Sequence, residues 1–229
     1  MTGEGHDFTV VASTPIFDGK VLSLRVDDVR MPGGGTGKRE IVGHGGAVSV
    51  AALDSTDPDT ANVLLIEQYR HAVGRRLWEL PAGLLDVPDE PAQPAAEREL
   101  LEETGFRAER WSVLLDVATS PGFSEETVRI FLATGLTMVG RPDGEDNEEA
   151  ELRVVLVPLR VAVQAALAGS IVNVMAVAGV LAADAVLRGT VRLVPRPDPA
   201  PDADADAPWA VHRGAGTPSA PVLDGSKEL

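Results

Sequence analysis

Three glutamates within five residues are the feature that most limits how this chain can fold. Glu99 and Glu103 are four positions apart, with Glu102 between them. On a helix, Glu103 would lie about 40° from Glu99 and Glu102 about 60° to the other side. Gly105 follows at a position where helices commonly end, and Leu100 gives the opposite side an apolar residue to bury. The pattern predicts a helix over about Gln93 to Glu103 with three carboxylates on one face.

Carboxylates at this spacing repel one another, which destabilises an isolated helix by about a few tenths of a kcal/mol. A hard divalent cation with oxygen ligands is the natural way to offset that repulsion. The alternative is that the three glutamates form the solvated face of an ordinary surface helix. The residues around the helix decide between the two interpretations.

Composition restricts the class of protein and its partners. The 229 residues are 44% hydrophobic and 24% charged, which predicts a globular protein with one main domain. With 35 acidic and 20 basic residues the net charge is −15, so nucleic acid and anionic membrane surfaces are not expected as partners. The chain has no cysteine, which excludes thiolate chemistry and favours a cytoplasmic location. Neither a signal segment nor an apolar run of the ~20 residues needed to cross a bilayer is recognisable, so we expect no membrane association.

The order of apolar and turn-forming segments predicts three regions. Residues 1–45 form a β lobe that begins with a hairpin from Phe8 to Val29, followed by a glycine-rich loop from Met31 to Lys38. Residues 46–194 form the main domain, and the Pro-, Ala- and Asp-rich residues 195–229 form a disordered tail. Besides the glutamate helix, we expect strands at Ala47–Leu53, Asn62–Tyr69, Ser112–Ala118, Thr127–Leu136 and Leu152–Pro158, and helices at Leu159–Leu167 and Ile171–Leu187.

The stretch from Gly83 to Phe106 resembles the Nudix box. The matching residues are Gly83, Glu90, Arg98, Glu99, Leu100, Glu102, Glu103 and Gly105. Two positions depart from the pattern: six residues rather than five separate Gly83 from Glu90, and Phe106 replaces an aliphatic residue. Asp89 stands at the standard spacing and is the alternative to Glu90.

This resemblance implies an α/β/α sandwich with a mixed central sheet, preceded by a β lobe that forms a homodimer. It also implies that Mg²⁺ or Mn²⁺ is bound by Glu99, Glu102, Glu103 and the main-chain carbonyl of Ala82. Glu102 and Glu103 would then serve catalysis, while Glu90 would pair with Arg98 as a brace. Carboxylates suit these metals, which in such enzymes assist the attack of water on a diphosphate.

Further matches are similar to the ADP-ribose pyrophosphatase branch of that family. They are Gln68-Tyr69-Arg70, Trp78-Glu79-Leu80-Pro81-Ala82-Gly83, and Ser120-Pro121-Gly122-Phe123-Ser124-Glu125, in which Pro121 lies sixteen residues beyond Gly105. The branch implies that Arg70, Glu79, Pro121 and Gly122 bind substrate and that Glu148 or Glu149 is the general base. Three alternatives stay open: Glu79 as a structural carboxylate, Pro121 in an ordinary turn, and Trp78 as a core residue instead of a platform for adenine.

The expected reaction is hydrolysis of ADP-ribose, a nucleoside diphosphate sugar, to AMP and ribose 5-phosphate. One alternative is a related enzyme for another nucleoside diphosphate derivative, such as a sugar or a dinucleotide. The other is a non-catalytic Nudix-like domain that senses ADP-ribose or a nucleotide. Binding without turnover would distinguish the sensor from both enzymes.

Overall fold

The structure is a computed structural model that describes residues 8–87, 89–142 and 152–193. The predicted acidic-loop bases Glu148 and Glu149 and the predicted tail lie outside these residues. None of the helices in the described ranges is long and apolar enough to cross a membrane.

The N-terminal lobe is a three-stranded antiparallel sheet. Its strands are β1 (Thr9–Asp18), β2 (Leu22–Arg30) and β3 (Thr36–His44), in the order β1-β2-β3. The predicted hairpin is therefore confirmed. The glycine-rich loop is shorter than predicted, because β3 already begins at Thr36, which pairs with Arg30. Gly34 alone among these glycines needs a positive φ, of 87°, so the turn is confined to the residues around it.

The main domain is built on a mixed sheet. The strands of this domain are β4 (Ala47–Leu53), β5 (Asn62–Arg70), β6 (Arg75–Glu79), β7 (Ala82–Leu84), β8 (Phe106–Arg107), β9 (Arg110–Ala118), β10 (Thr127–Thr134), β11 (Thr137–Met138) and β12 (Arg153–Pro158). The order in the mixed sheet is β12-β5-β4-β10-β9, in which β4 and β10 are parallel and the other neighbours antiparallel. Two short strands extend it, since β6 pairs with β5 and β7 with β4. β8 and β11 form a separate two-stranded sheet.

Helices cover both faces of the main sheet, which confirms the predicted α/β/α sandwich. On one face α1 (Ala92–Thr104) packs Ala96 and Leu100 against Val50 and Phe131. On the other face α2 (Leu159–Leu167) and α3 (Val174–Leu187) cover an apolar core that includes Leu53 and Ile130. α3 begins at Val174 rather than at Ile171, because the Asn173 side chain accepts the Ala176 N–H at 3.1 Å and caps the helix there.

The strand register brings the segments with matching motifs to one end of the sheet. Val48 of β4 pairs with Gly83 on one side and with Arg129 of β10 on the other. Gly83, Val48 and Arg129 thus lie side by side across the sheet. The connection from β9 to β10, which contains Pro121 and Gly122, begins two residues beyond Arg129, where Thr127 pairs with Ala118. The sheet therefore places this connection and β7 at the same end of the domain.

Candidate metal and substrate site

The glutamate helix forms for local reasons that the sequence shows. Gly105 adopts a left-handed φ of 75° and its N–H bonds to the Leu101 carbonyl at 2.8 Å, so the helix ends where predicted. The buried residues Ala92, Ala95, Ala96 and Leu100 hold α1 against the sheet. Glu102, by contrast, keeps 36% of its side chain exposed.

Glu103 is the most enclosed of the three glutamates, with 5% of its surface exposed. Its Oε2 accepts a hydrogen bond from the Ala82 N–H at 2.9 Å. A buried carboxylate needs such a donor to replace water. This bond joins the end of α1 to the start of β7.

Gly83 provides the space for Glu99. A Cβ atom at position 83 would lie 2.0 Å from Cδ and 2.5 Å from Cγ of Glu99. Such distances are far shorter than any van der Waals contact, so only glycine allows the Glu99 side chain to lie directly on the β7 backbone. The glycine is needed here for close approach and not for an unusual φ.

Arg98 connects the glutamates to the loop before the helix. Its guanidinium forms a fork with Glu90, at 3.3 Å to Oε1 and 3.0 Å to Oε2, and its Nη1 also contacts Glu99 at 2.6 Å and Glu102 at 3.0 Å. The hydrogen bond to Glu90 is the first cause of a raised Arg98 pKa, so the guanidinium stays charged. The predicted pair of Glu90 and Arg98 is present. Asp89, the alternative partner, is exposed at a φ of 61° in the loop that contains the extra residue.

The donor set fits a divalent cation of the magnesium type. One helical turn supplies three carboxylates, and glycine at position 83 lets one of them reach the backbone of β7. Among residues 8–87, 89–142 and 152–193, however, no group of three acidic or histidine side chains is already arranged around a common point. Arg98 holds Glu99 and Glu102, while Glu103 faces the Ala82 N–H. A cation bound here would share these carboxylates with Arg98 and with the Ala82 N–H.

Arg70 and Glu79, both predicted to bind substrate, bind each other. Arg70 Nε donates to Glu79 Oε1 at 2.9 Å and its Nη2 to Oε2 at 2.7 Å, across neighbouring strands β5 and β6. Glu79 has no exposed surface, whereas 41% of the Arg70 side chain is exposed. This geometry favours the structural alternative for Glu79, which orients Arg70, and leaves Arg70 accessible to a ligand.

Pro121 and Gly122 lie in an exposed turn between β9 and β10. The Phe123 and Ser124 N–H groups both bond to the Ser120 carbonyl, at 3.1 and 2.9 Å. Trp78, in contrast, is only partly exposed and packs against the core, with the Arg153 guanidinium 5.4 Å from its ring centroid. The geometry of Trp78 agrees with a core residue.

The sequence did not predict the ion pairs of Arg129 and of Arg25. Arg129 is buried in β10 and bonds through Nε to Asp116 Oδ1 of β9 at 2.8 Å. A charged residue within the apolar strand Thr127–Thr134 was the available signal, but its partner depends on the strand register. The second pair joins Arg25 of the N-terminal lobe to Glu125.

Comparison with known families gives the context for this site. The model of the NUDIX domain matches residues 44–175, and the model of the nucleoside diphosphate sugar hydrolase N-terminal domain matches residues 8–42. This chain belongs to the Nudix family. The acidic helix and the preceding loop are thus its Nudix box, and Nudix hydrolases generally use a divalent metal.

Two relatives of this Nudix protein come from bacteria, and a solved structure shares its fold. It is 50% identical to an ADP-ribose pyrophosphatase of Mycobacterium tuberculosis over 84% of this chain and 89% of the relative. It is 40% identical to a methanol dehydrogenase activator of Bacillus methanolicus, over 64% of this chain and 77% of the relative. A crystal structure of an ADP compounds hydrolase shares the fold, with a TM-score of 0.69 and 20% identity over 83% of this chain and 100% of that one.

Proposed function

We propose that this Nudix hydrolase cleaves the diphosphate of ADP-ribose to give AMP and ribose 5-phosphate. The observation that carries the proposal is the contact of the acidic helix with β7, where Glu99 lies on Gly83 and Glu103 binds the Ala82 N–H. Support for the substrate comes from the relative at 50% identity, which is named an ADP-ribose pyrophosphatase. The absence of cysteine supports a cytoplasmic location.

Glu99, Glu102, Glu103 and the Ala82 carbonyl are the proposed ligands of Mg²⁺, with Mn²⁺ as a substitute. When bound, the metal supplies positive charge at the phosphate oxygens and lowers the pKa of water. The protein's part is to hold the carboxylates: Gly83 leaves room for Glu99, and the Ala82 N–H orients Glu103. The fork with Glu90 holds the Arg98 guanidinium in place beside Glu99 and Glu102.

Arg70 is the proposed phosphate or ribose ligand. Because Glu79 occupies Nε and Nη2, the guanidinium plane has a fixed direction before substrate arrives. A preoriented cation loses less conformational entropy on binding than a free side chain does. Pro121 and Gly122 are proposed to line the substrate site from the β9–β10 connection. Glu148 or Glu149 remains the predicted general base, outside the described residues.

We also propose that residues 1–45 form a dimerisation lobe, residues 46–194 the catalytic domain and residues 195–229 a separate tail. Every residue of β1 is exposed, including Val10, Ile16 and Phe17, each of which keeps more than half of its surface in contact with water. An apolar edge strand of this kind favours association with a second copy of the chain.

Sedimentation equilibrium should therefore show a homodimer. Ile16→Glu should raise its dissociation constant by roughly tenfold or more, because a charge would replace apolar surface buried in the dimer. Leu167→Glu is the matched control, since Leu167 is 74% exposed on α2, outside the lobe. A monomeric wild type, or equal weakening by both variants, would contradict the assignment to β1.

The proposed substrate is tested with a panel of diphosphates at saturating Mg²⁺. ADP-ribose should be cleaved with the highest kcat/KM among ADP-ribose, ADP-glucose, GDP-mannose, NADH and diadenosine polyphosphates. Excess EDTA should reduce cleavage to background, and added Mg²⁺ should restore it. Without the cation, the negative carboxylates have no positive charge with which to offset the phosphates. Preference for another diphosphate would replace the substrate assignment. Tight binding of ADP-ribose without turnover would instead indicate a sensor.

A further inference from the structure

The segment Ser120–Glu126, which contains Pro121 and Gly122, is attached to the N-terminal sheet. The Val42 N–H of β3 donates to the Phe123 carbonyl at 2.7 Å, and the Glu125 N–H donates to the Val42 carbonyl at 3.0 Å. Val42 and Ser124 thereby form a short parallel bridge. These two backbone hydrogen bonds therefore pair β3 with the connection between β9 and β10.

A side-chain fork strengthens this attachment. Arg25 of β2 donates from Nη2 to Glu125 Oε1 at 2.6 Å and from Nη1 to Oε2 at 3.1 Å, while its Nε contacts Asp27 Oδ2 at 3.1 Å. The hydrogen bond to Glu125 is the main reason why the Arg25 pKa is raised. A bidentate pair fixes direction as well as distance, which a single ion pair with lysine does not.

The surface of the N-terminal sheet is shaped to receive the Glu125 carboxylate. Gly43 of β3 lies beneath it, and a Cβ there would be 3.6 Å from Glu125 Oε2 and 2.4 Å from Ser23 Oγ. A larger residue at position 43 would force the Ser23 hydroxyl to rotate and would contact the Glu125 carboxylate. The fork therefore rests on a flat part of the sheet that has no side chain at its centre.

We propose that Arg25 is a positioning residue for the nucleoside diphosphate substrate: through Glu125 it fixes the segment Ser120–Glu126 and so sets substrate affinity. This inference rests on the proposed function, in which Pro121 and Gly122 line the substrate site. Arg25 takes no part in bond cleavage. Its removal leaves the segment attached only by the two Val42 backbone bonds, which loosens it, while the acidic helix and Arg70 are unchanged.

The test compares Arg25→Gln, Glu125→Gln and the double variant in steady-state hydrolysis of ADP-ribose. Each single variant should raise KM about fivefold, because this is the largest effect expected from the loss of a partly exposed ion pair. It should change kcat by less than about twofold. The double variant should be no worse than either single one, because both remove the same interaction. Hydrogen exchange should show faster exchange of the Val42 and Glu125 amides in all three.

Lys38→Gln is the matched control. Lys38 forms an ion pair with Asp28 at 3.1 Å between β3 and β2, on the same sheet, and makes no contact with the fork. It should leave KM and the exchange rates unchanged. If wild type cleaves ADP-ribose but the fork variants keep its KM, or if their effects on KM add, the positioning role is wrong. If wild type does not cleave ADP-ribose, the proposed function itself fails.

Discussion

Replacing Glu103 with glutamine should lower kcat for ADP-ribose by on the order of a thousandfold, which corresponds to about 4 kcal/mol. Glutamine has nearly the same shape and can still accept the Ala82 N–H that Glu103 accepts at 2.9 Å. The fold and the contact of α1 with β7 should therefore survive. Only the negative charge disappears, and with it the ability to help hold a divalent cation.

Steady-state kinetics with Mg²⁺ titration checks this expectation, together with thermal unfolding to show that the variant is folded. Glu97→Gln is the matched control, because Glu97 is exposed on the same helix and accepts a hydrogen bond from Gln93, one turn away, at 2.9 Å. Glu97→Gln should keep kcat within about twofold, as is usual for a surface change. Wild-type turnover in Glu103→Gln would remove Glu103 from the proposed metal site.

Replacing Gly83 with alanine should have the second largest effect. The new Cβ would lie within 2.0 to 2.5 Å of three Glu99 atoms, so either the Glu99 side chain rotates away or β7 moves away from α1. Either response displaces a proposed metal ligand by about an ångström or more, which can reduce kcat by roughly a hundredfold. Crowding at this contact should also lower the free energy of unfolding by about 1–3 kcal/mol.

The measurement is kcat at saturating Mg²⁺, with the Mg²⁺ concentration for half-maximal rate and the urea midpoint recorded beside it. Gly45→Ala provides the comparison, since a Cβ at Gly45 would meet nothing within 4 Å and its φ is not positive. Its kcat should equal that of wild type. The proposed role of Gly83 would not survive if Gly83→Ala retained both wild-type kcat and wild-type dependence on Mg²⁺.

Local features of the site could be predicted from the sequence because neighbouring residues determine them. The spacing of Glu99 to Glu103 and the stop at Gly105 gave α1 to within one residue at each end. The Glu90 pair with Arg98 was likewise expected from the family resemblance, and the structure contains it. The apolar runs in the sequence predicted β4 at both ends and β12 to within one residue.

Features that depend on tertiary contacts could not be predicted in the same way. β6 and β7 are five and three residues long and flank Pro81, so they have no periodicity of their own and exist because β5 and β4 pair with them. The burial of Glu79 under Arg70 depends on that pairing. The contact of Arg25 with Glu125 joins residues one hundred positions apart, which no local pattern reveals.

If magnesium is the cofactor, as proposed, the contacts of Arg98 determine how the fold responds when the ion is removed. Its guanidinium acts as a resident counterion for Glu99 and Glu102, so the repulsion within the acidic helix is already relieved without metal. Small metal domains such as zinc fingers lose their fold with their ion, but here Arg98 balances the charge of the acidic helix without one. Under the proposed magnesium dependence, loss of the ion would therefore lower the rate of catalysis and leave the fold in place.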